Sequence, residues 1–152
     1  MNINVISVFP EIIEASMHGL TGKAFKDKKA KLELFDLKKF SKTEYGSVDD
    51  SPYGGGEGMI LKPEPLTNAI ESIKEKGDQK IIFPTPDGEL FNHSKAKEFS
   101  NCDSLVFICG HYKGIDQRIR DKYVSDEISI GDFVLTSGEL PAMIMVDSIV
   151  RL

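Results

Sequence analysis

Ser129-Ile130-Gly131-Asp132-Phe133-Val134-Leu135-Thr136-Ser137-Gly138-Glu139-Leu140-Pro141-Ala142 says more about this chain than any other stretch. It leaves an apolar segment, passes through small and turn-forming residues, and enters the apolar stripe of a helix. Gly110-His111-Tyr112-Lys113-Gly114-Ile115-Asp116-Gln117-Arg118 follows the apolar run Ser104 to Cys109 in the same way. Backbone this bare approaches a ligand closely, and its amides and carbonyls become recognition groups. Ligands of open α/β sheets bind where loops leave the carboxyl ends of strands. The two stretches therefore predict an α/β domain whose site is made by strand-end loops.

The flanking sequence supplies the remaining elements. Ile3 to Val8 predicts a strand, and Pro10 opens a helix with Glu11 at its positive end and Gly19 as its stop. Thr21 is the expected cap of a short lysine-rich helix, and Leu32 to Leu37 alternates like a half-buried strand. Ser41 to Lys62 loses the pattern and reads as a functional or disordered loop. Pro65 opens a helix with Leu66, Ala69, Ile70 and Ile73 on one face, stopped by Gly77. Lys80 to Phe83 predicts a short strand, Pro84-Thr85-Pro86-Asp87-Gly88 a turn, and Asn92 a helix cap. Ser104 to Cys109 is a buried strand and Ile115 to Tyr123 a helix; Glu127 to Ile130 and Phe133 to Thr136 are short strands. The last helix starts near Pro141, with Ala142, Met143, Val146, Ile149 and Val150 as its stripe. Strands alternate with helices, so the fold class is α/β: a mainly parallel sheet with flanking helices, in one domain over residues 1–152. The final helix reaches Leu152 without a stop signal, so a longer protein with this piece at its N-terminus is expected.

Composition narrows the function. The chain is 40% hydrophobic and 28% charged, ordinary for a soluble domain, and no apolar run is long enough to span a bilayer. No signal peptide precedes the first strand, and Cys102 and Cys109 lack metal-ligand spacing, so a reduced cytoplasmic protein is expected. The net charge of −5 argues weakly against nucleic acid. Lysines nonetheless crowd Lys23 to Lys42, and His111, Lys113, Arg118, Arg120 and Lys122 form a second group; from charge alone, a solvated face accounts for both.

Pro52-Tyr53-Gly54-Gly55-Gly56-Glu57-Gly58-Met59 is glycine-rich but lacks the Gly-Lys-Ser/Thr ending of a phosphate-binding P-loop. A flexible linker and a base-stacking loop built on Tyr53 both fit it. No Gly-x-Gly-x-x-Gly follows the first strand, and no nucleophile elbow or Ser-His-Asp order is present. Dinucleotide and hydrolase chemistry are thereby disfavoured.

The three glycine-bearing motifs, with Ile6-Ser7-x-Phe9-Pro10-Glu11 and Val48-Asp49-Asp50-x-Pro52, resemble the bacterial tRNA (guanine-N1-)-methyltransferases in one register from the first strand to Leu152. The resemblance implies a SPOUT-type fold with a deep trefoil knot and S-adenosylmethionine as methyl donor. It also implies the tRNA guanine immediately 3′ of the anticodon as acceptor, and a homodimer whose sites are shared between subunits. A C-terminal tRNA-binding domain is implied beyond this chain, and magnesium is left open as a further ion. The donor is placed against Pro84, Thr85, Pro86, Gly110, Tyr112, Ser129, Ile130, Gly131, Asp132, Phe133, Val134, Leu135, Gly138 and Pro141. Judged by its own surroundings, Val134 reads better as core. Asp49, Tyr53, Gly54, Gly55 and Gly56 fall to recognition of the guanine or its neighbour.

Methylating guanine N-1 needs removal of a proton and a cation near the carbonyl oxygen. Asp147-Ser148-Ile149-Val150-Arg151 matches the family pattern for the cation, which makes Arg151 the catalytic candidate. The family's aspartate base lies beyond that helix, so the 152-residue chain is expected to be nearly inactive alone. Lys113, Phe133 and Thr136-Ser137 depart from the family pattern, and Lys113 reverses its usual acidic charge. The alternative is a donor- or RNA-binding module without turnover; a knotted methyltransferase for another RNA is disfavoured by the Pro52 to Met59 loop. A branched residue at Gly138 or Gly110 is expected to abolish donor binding without unfolding the domain. The terminal stripe is expected to need a second subunit to cover it.

Overall fold

A computed structural model describes residues 1–52, 54–73 and 77–152. The strands are β1 (Asn2–Ser7), β2 (Lys31–Asp36), β3 (Asp49–Asp50), β4 (Ile60–Leu61), β5 (Gln79–Leu90), β6 (Ser104–Ile108) and β7 (Asp126–Ser129). The helices are α1 (Pro10–Ser16), α2 (Gly19–Lys26), α3 (Pro63–Ser72), α4 (His93–Ser100), α5 (Gln117–Tyr123) and α6 (Glu139–Val150). Five strands form one parallel sheet in the order β2-β1-β6-β5-β7, and β3 and β4 form a separate antiparallel hairpin.

Helices cover both faces, and this is why β6, at the sheet's centre, is buried along its whole length. Side chains alternate across the sheet. Val5, Leu105 and Phe107 face α1, α4 and α6, where they pack with Ile13, Phe99, Met145 and Ile149. Ile6, Val106 and Ile108 point the other way, into Leu66, Ile70 and Ile119 of α3 and α5.

The α/β class and the mainly parallel sheet match expectation, and several local readings do not. Gly19 does not stop α1; at φ +64° it opens α2, whose N-cap is His18. Thr21 therefore lies inside that helix, and its hydroxyl donates to Asp147 of α6 instead of capping. Helix α3 begins at Pro63, two prolines being tolerated in a first turn whose amides have no intrahelical acceptor. Residues Phe133 to Thr136 form no strand: they are exposed and no strand edge lies alongside them. Helix α6 starts at Glu139 rather than near Pro141.

The stripe on α6 also has its cover. Val146 and Ile149 lie in the core of the same chain, and Met143 and Val150 pack against its edge. A second subunit is not needed to bury that face. What stays outside is a different set, Leu140 and Ile144.

Candidate functional site

Three loops leave the carboxyl ends of the adjacent strands β6, β5 and β7 and close around a cavity of about 440 Å³. The first interrupts β5. Pro84 and Glu89 both lie opposite Ile128, so residues 85–88 bulge out of the ladder. A proline contributes no amide to a ladder, and the expected turn at Pro84 to Gly88 is present as this bulge within one long strand. The bulge is held from outside. Arg120 makes two hydrogen bonds to Glu127, at 2.8 and 2.6 Å, and one to Asp87 at 3.1 Å, while Asp87 accepts from the Thr85 hydroxyl. Its guanidinium also stands 5.4 Å from the centre of the Phe83 ring, which lines the cavity.

The second loop carries Gly110 to Gly114, with Tyr112 in the left-handed region at φ +60°. Strained backbone of this kind persists only where surrounding contacts fix it. The third runs from Ile130 to Gly138, and Gly131 there has φ +153°. Thirteen of the fourteen residues expected around the donor line the cavity: Pro84, Thr85, Pro86, Gly110, Tyr112, Ser129, Ile130, Gly131, Phe133, Val134, Leu135, Gly138 and Pro141. Asp132 is exposed and stands outside the lining. Val134 is 79% exposed, so its reading as core is wrong: its loop has left the sheet.

Gly138 is where the second and third loops meet. Its amide donates to the Gly110 carbonyl at 2.8 Å. A Cβ on Gly138 would stand 2.7 Å from the Gly110 nitrogen and 2.8 Å from the Cys109 Cα. The bareness needed at Gly138 thus serves chain against chain. This geometry argues against the expectation that a branched residue there would spare the fold. At Gly110 an added Cβ would meet the Phe83 ring at 2.9 Å, again a protein contact.

Beside this crossing lies a buried polar cluster that no local sequence pattern announces. Glu139 is fully buried at the start of α6 and accepts from Ser7 Oγ at 2.5 Å. His111 Nε2 lies 2.9 and 3.0 Å from its two carboxylate oxygens, and the His111 ring sits 5.2 Å from that of Phe9. Burial pushes the Glu139 carboxyl pKa up, but hydrogen bonds from His111, Ser137 and Ser7 outweigh burial and hold it below the usual range. The cluster joins the end of β1, the loop after β6 and the cavity's third loop.

The sign of its pH dependence follows. A carboxyl depressed in the folded state contributes stability above its unfolded pKa of about 4.3, and that contribution is lost as pH falls through the lower folded value. Glu139→Gln is expected to remove roughly 2 kcal/mol at neutral pH. It should also flatten the acid limb of urea-denaturation stability measured between about pH 5 and pH 2. A limb as steep as the wild type's would show that Glu139 is not its source.

The glycine-rich segment is a hairpin docked on the second loop. The Lys113 amide donates to the Met59 carbonyl at 3.0 Å and the Leu61 amide to the Gly114 carbonyl at 3.1 Å. Asp49, on β3, comes beside Tyr112: burial, and then the Asp49 carboxylate, raise the Tyr112 phenol pKa. Gly54, Gly55 and Gly56 have φ of +92°, +87° and +116°, with no atom of the described residues within 4 Å of where a side chain would start, their chain neighbours aside. Tyr53 lies outside the described residues. Arg151 is not brought to the cavity at all. It caps the far end of α6, a helix of 12 residues that begins beside the cavity, so its backbone lies about 18 Å away along the axis. Phe83, His111, Lys113, Gly114, Ile128, Thr136 and Ser137 also line the cavity and were not anticipated as contacts.

The whole chain, residues 1–152, matches the family model for tRNA (Guanine-1)-methyltransferase TrmD. The chain belongs to this family. It is 48% identical over 154 residues to the tRNA (guanine-N(1)-)-methyltransferase of Lacticaseibacillus paracasei, covering 100% of this chain and 60% of that protein. It is 46% identical over 153 residues to the protein of the same name from Staphylococcus aureus strain JH9, covering 100% of this chain and 62% of that protein. The chain thus spans about 60% of the length of these relatives. Among the described residues no helix is long and apolar enough to cross a membrane, and no three His, Cys, Asp or Glu gather as a metal site.

Proposed function

We propose that this domain, as part of a chain of its relatives' length, takes part in transferring a methyl group from S-adenosylmethionine to N-1 of the tRNA guanine immediately 3′ of the anticodon, in the cytoplasm. The observation that carries the reading is the cavity made by backbone-rich loops at the ends of β5, β6 and β7, in a chain of the tRNA (Guanine-1)-methyltransferase family. Its volume suits a nucleoside-sized ligand, and its wall is apolar and glycine-interrupted. The Pro84–Pro86 bulge, Gly110, Tyr112, and the loop from Ser129 to Pro141 would hold the donor, which supplies an electrophilic methyl on a sulfonium. Backbone carbonyls suit that positive charge better than a ring of cations would. Asp49 and the Gly54–Gly56 segment would receive the guanine, since the hairpin's open face meets the cavity at Tyr112.

The position of Arg151 supports a homodimer. Being about 18 Å along α6 from its own cavity, the guanidinium would act on a guanine bound by the other subunit. Exposed Leu140 and Ile144 on α6, with Leu20 at 87% exposure on α2, make an apolar surface suited to a second copy. The tight crossing of Gly138 on Gly110 supports a trefoil-knotted return of the chain.

Calorimetric titration with S-adenosylmethionine or its demethylated product tests the reading. Saturable binding is expected. Leu135→Arg, at a 38% exposed position on the cavity wall, should weaken it by at least about tenfold by placing a cation against the sulfonium. Absence of binding by the wild type, or unchanged affinity in the variant, would refute the site. Static light scattering at micromolar concentration should give twice the chain mass of 16.9 kDa, and a monomer would refute the shared-site arrangement.

A further inference from the structure

We infer that Lys113 offers its ammonium to an anionic oxygen of the RNA substrate at the seam between the glycine hairpin and the cavity. The inference rests on the methyl-transfer reading above. Among the described residues Lys113 is the one lysine or arginine lining the cavity. Its stem is laid over Gly58. The Cγ, Cδ and Cε atoms stand 3.3, 3.0 and 2.7 Å from the point where a Cβ on Gly58 would be. The stem thus lies across Gly58, and the ammonium stands farther from that point than these three carbons do. Gly58, at φ +93°, has no side chain to contest that path.

The neighbouring cations are already engaged. Arg118 is held by Asp116 at 2.8 Å, and Arg120 by Glu127 and Asp87. Among the described residues no carboxylate forms an ion pair with Lys113. Lys113 is exposed, so its ammonium at the cavity rim is open to an anionic partner from outside. The donor's sulfonium would repel it, which favours a partner on the hairpin side, where the RNA enters.

RNA carries two kinds of anionic oxygen there. One is the backbone phosphate. The other is the guanine carbonyl oxygen, which gains negative charge during the reaction. In that step the N-1–H bond breaks and its proton passes to a carboxylate base. The electron pair left on N-1 forms the N–CH3 bond, and the S–CH3 bond breaks with sulfur keeping its pair. An ammonium beside the carbonyl oxygen stabilises the N-1 anion.

The test compares Lys113→Gln and Lys113→Glu with the wild type, each in a chain of the relatives' full length, in three measurements. These are fluorescence anisotropy with an anticodon stem-loop RNA across salt, single-turnover methyl transfer across pH, and calorimetric titration of the donor. If the oxygen is a phosphate, affinity for RNA should fall about 5- to 10-fold for Gln and further for Glu, and the salt slope should drop by about 0.7. If it is the carbonyl oxygen, RNA affinity should hold. The rate should then fall about 10- to 100-fold, and the pH–rate midpoint should rise because N-1 is harder to deprotonate. Either pattern supports the inference, with donor affinity within about threefold of wild type as the sign of an intact cavity. Wild-type values in all RNA and rate measurements would overturn it. So would a tenfold loss of donor affinity with RNA binding intact, which would put the ammonium on the donor's carboxylate. If the wild type neither binds the stem-loop nor methylates it, the methyl-transfer reading fails and this inference with it.

Discussion

Gly138→Val is expected to unfold the domain rather than merely empty its cavity. The Cβ alone would stand 2.7 Å from the Gly110 nitrogen and 2.8 Å from the Cys109 Cα, and both obstacles are backbone. Cys109 is itself 1% exposed and continues β6, at the centre of the sheet, so it has nowhere to retreat. Separating the two loops would also break the 2.8 Å hydrogen bond between the Gly138 amide and the Gly110 carbonyl, and would shift Glu139 away from His111. Overpacking of side chains costs about 1–3 kcal/mol, and backbone obstruction adds to that, so most of a marginal domain's stability is at stake. Gly110→Ala is the informative comparison. Its obstacle is the Phe83 ring at 2.9 Å, a side chain on the cavity wall rather than backbone, so a smaller loss of stability is expected. Urea denaturation followed by circular dichroism should rank wild type, Gly110→Ala and Gly138→Val in that order. A Gly138→Val protein of unchanged stability that no longer binds the donor would restore ligand contact as the reason for the glycine.

That reversal shows what could be read from the chain and what could not. The glycine-rich loops were legible because bare backbone has few uses, and close approach is one of them. Which partner approaches is a tertiary fact, and at Gly138 it is Gly110, 28 positions earlier. Strands followed the same division. Ser104 to Cys109 announced a buried strand because almost every residue in it is apolar, and β6 occupies that place. Phe133-Val134-Leu135 has the composition of a strand and forms none, since composition measures fitness for a sheet and no neighbour exists for it. Pro84 to Gly88 read as a turn closing a strand, whereas the strand resumes beyond it because Glu89 and Leu90 still find Ile128 and Ser129 on β7.

The polar heart of the site was illegible for a related reason. Glu139 lies 132 positions from Ser7 and 28 from His111, and none of the three sits in a local pattern that suggests a partner. Asp49 and Tyr112 are likewise joined only by the docking of the hairpin. Lys113 was visible as a charge out of keeping with its family, but its direction became apparent only with Gly58 beneath its stem.

Arg151→Ala should nearly abolish methyl transfer while leaving donor affinity intact, in a chain of the relatives' full length. A cation placed where negative charge develops is worth about 10²–10³ in rate. Donor affinity should be spared because Arg151 is exposed and does not line the cavity. The same geometry makes a sharper demand. If Arg151 serves the other subunit's guanine, two inactive variants should repair each other. Arg151→Ala keeps a good cavity and lacks the cation; Leu135→Arg keeps the cation and lacks a usable cavity. In their mixed dimer, one site joins the intact cavity of the first to the intact Arg151 of the second, and the other site is doubly damaged. Random reassociation makes half of the dimers mixed with one working site each, so activity should return to about a quarter of the wild-type value. Co-expression with two affinity tags, followed by transfer of labelled methyl to tRNA, reads this directly. Recovery cannot occur if each chain supplies both cavity and cation to its own site. A mixed dimer as inactive as its parents would therefore return Arg151 to its own subunit, and the rotation of α6 needed to bring it there would become the question.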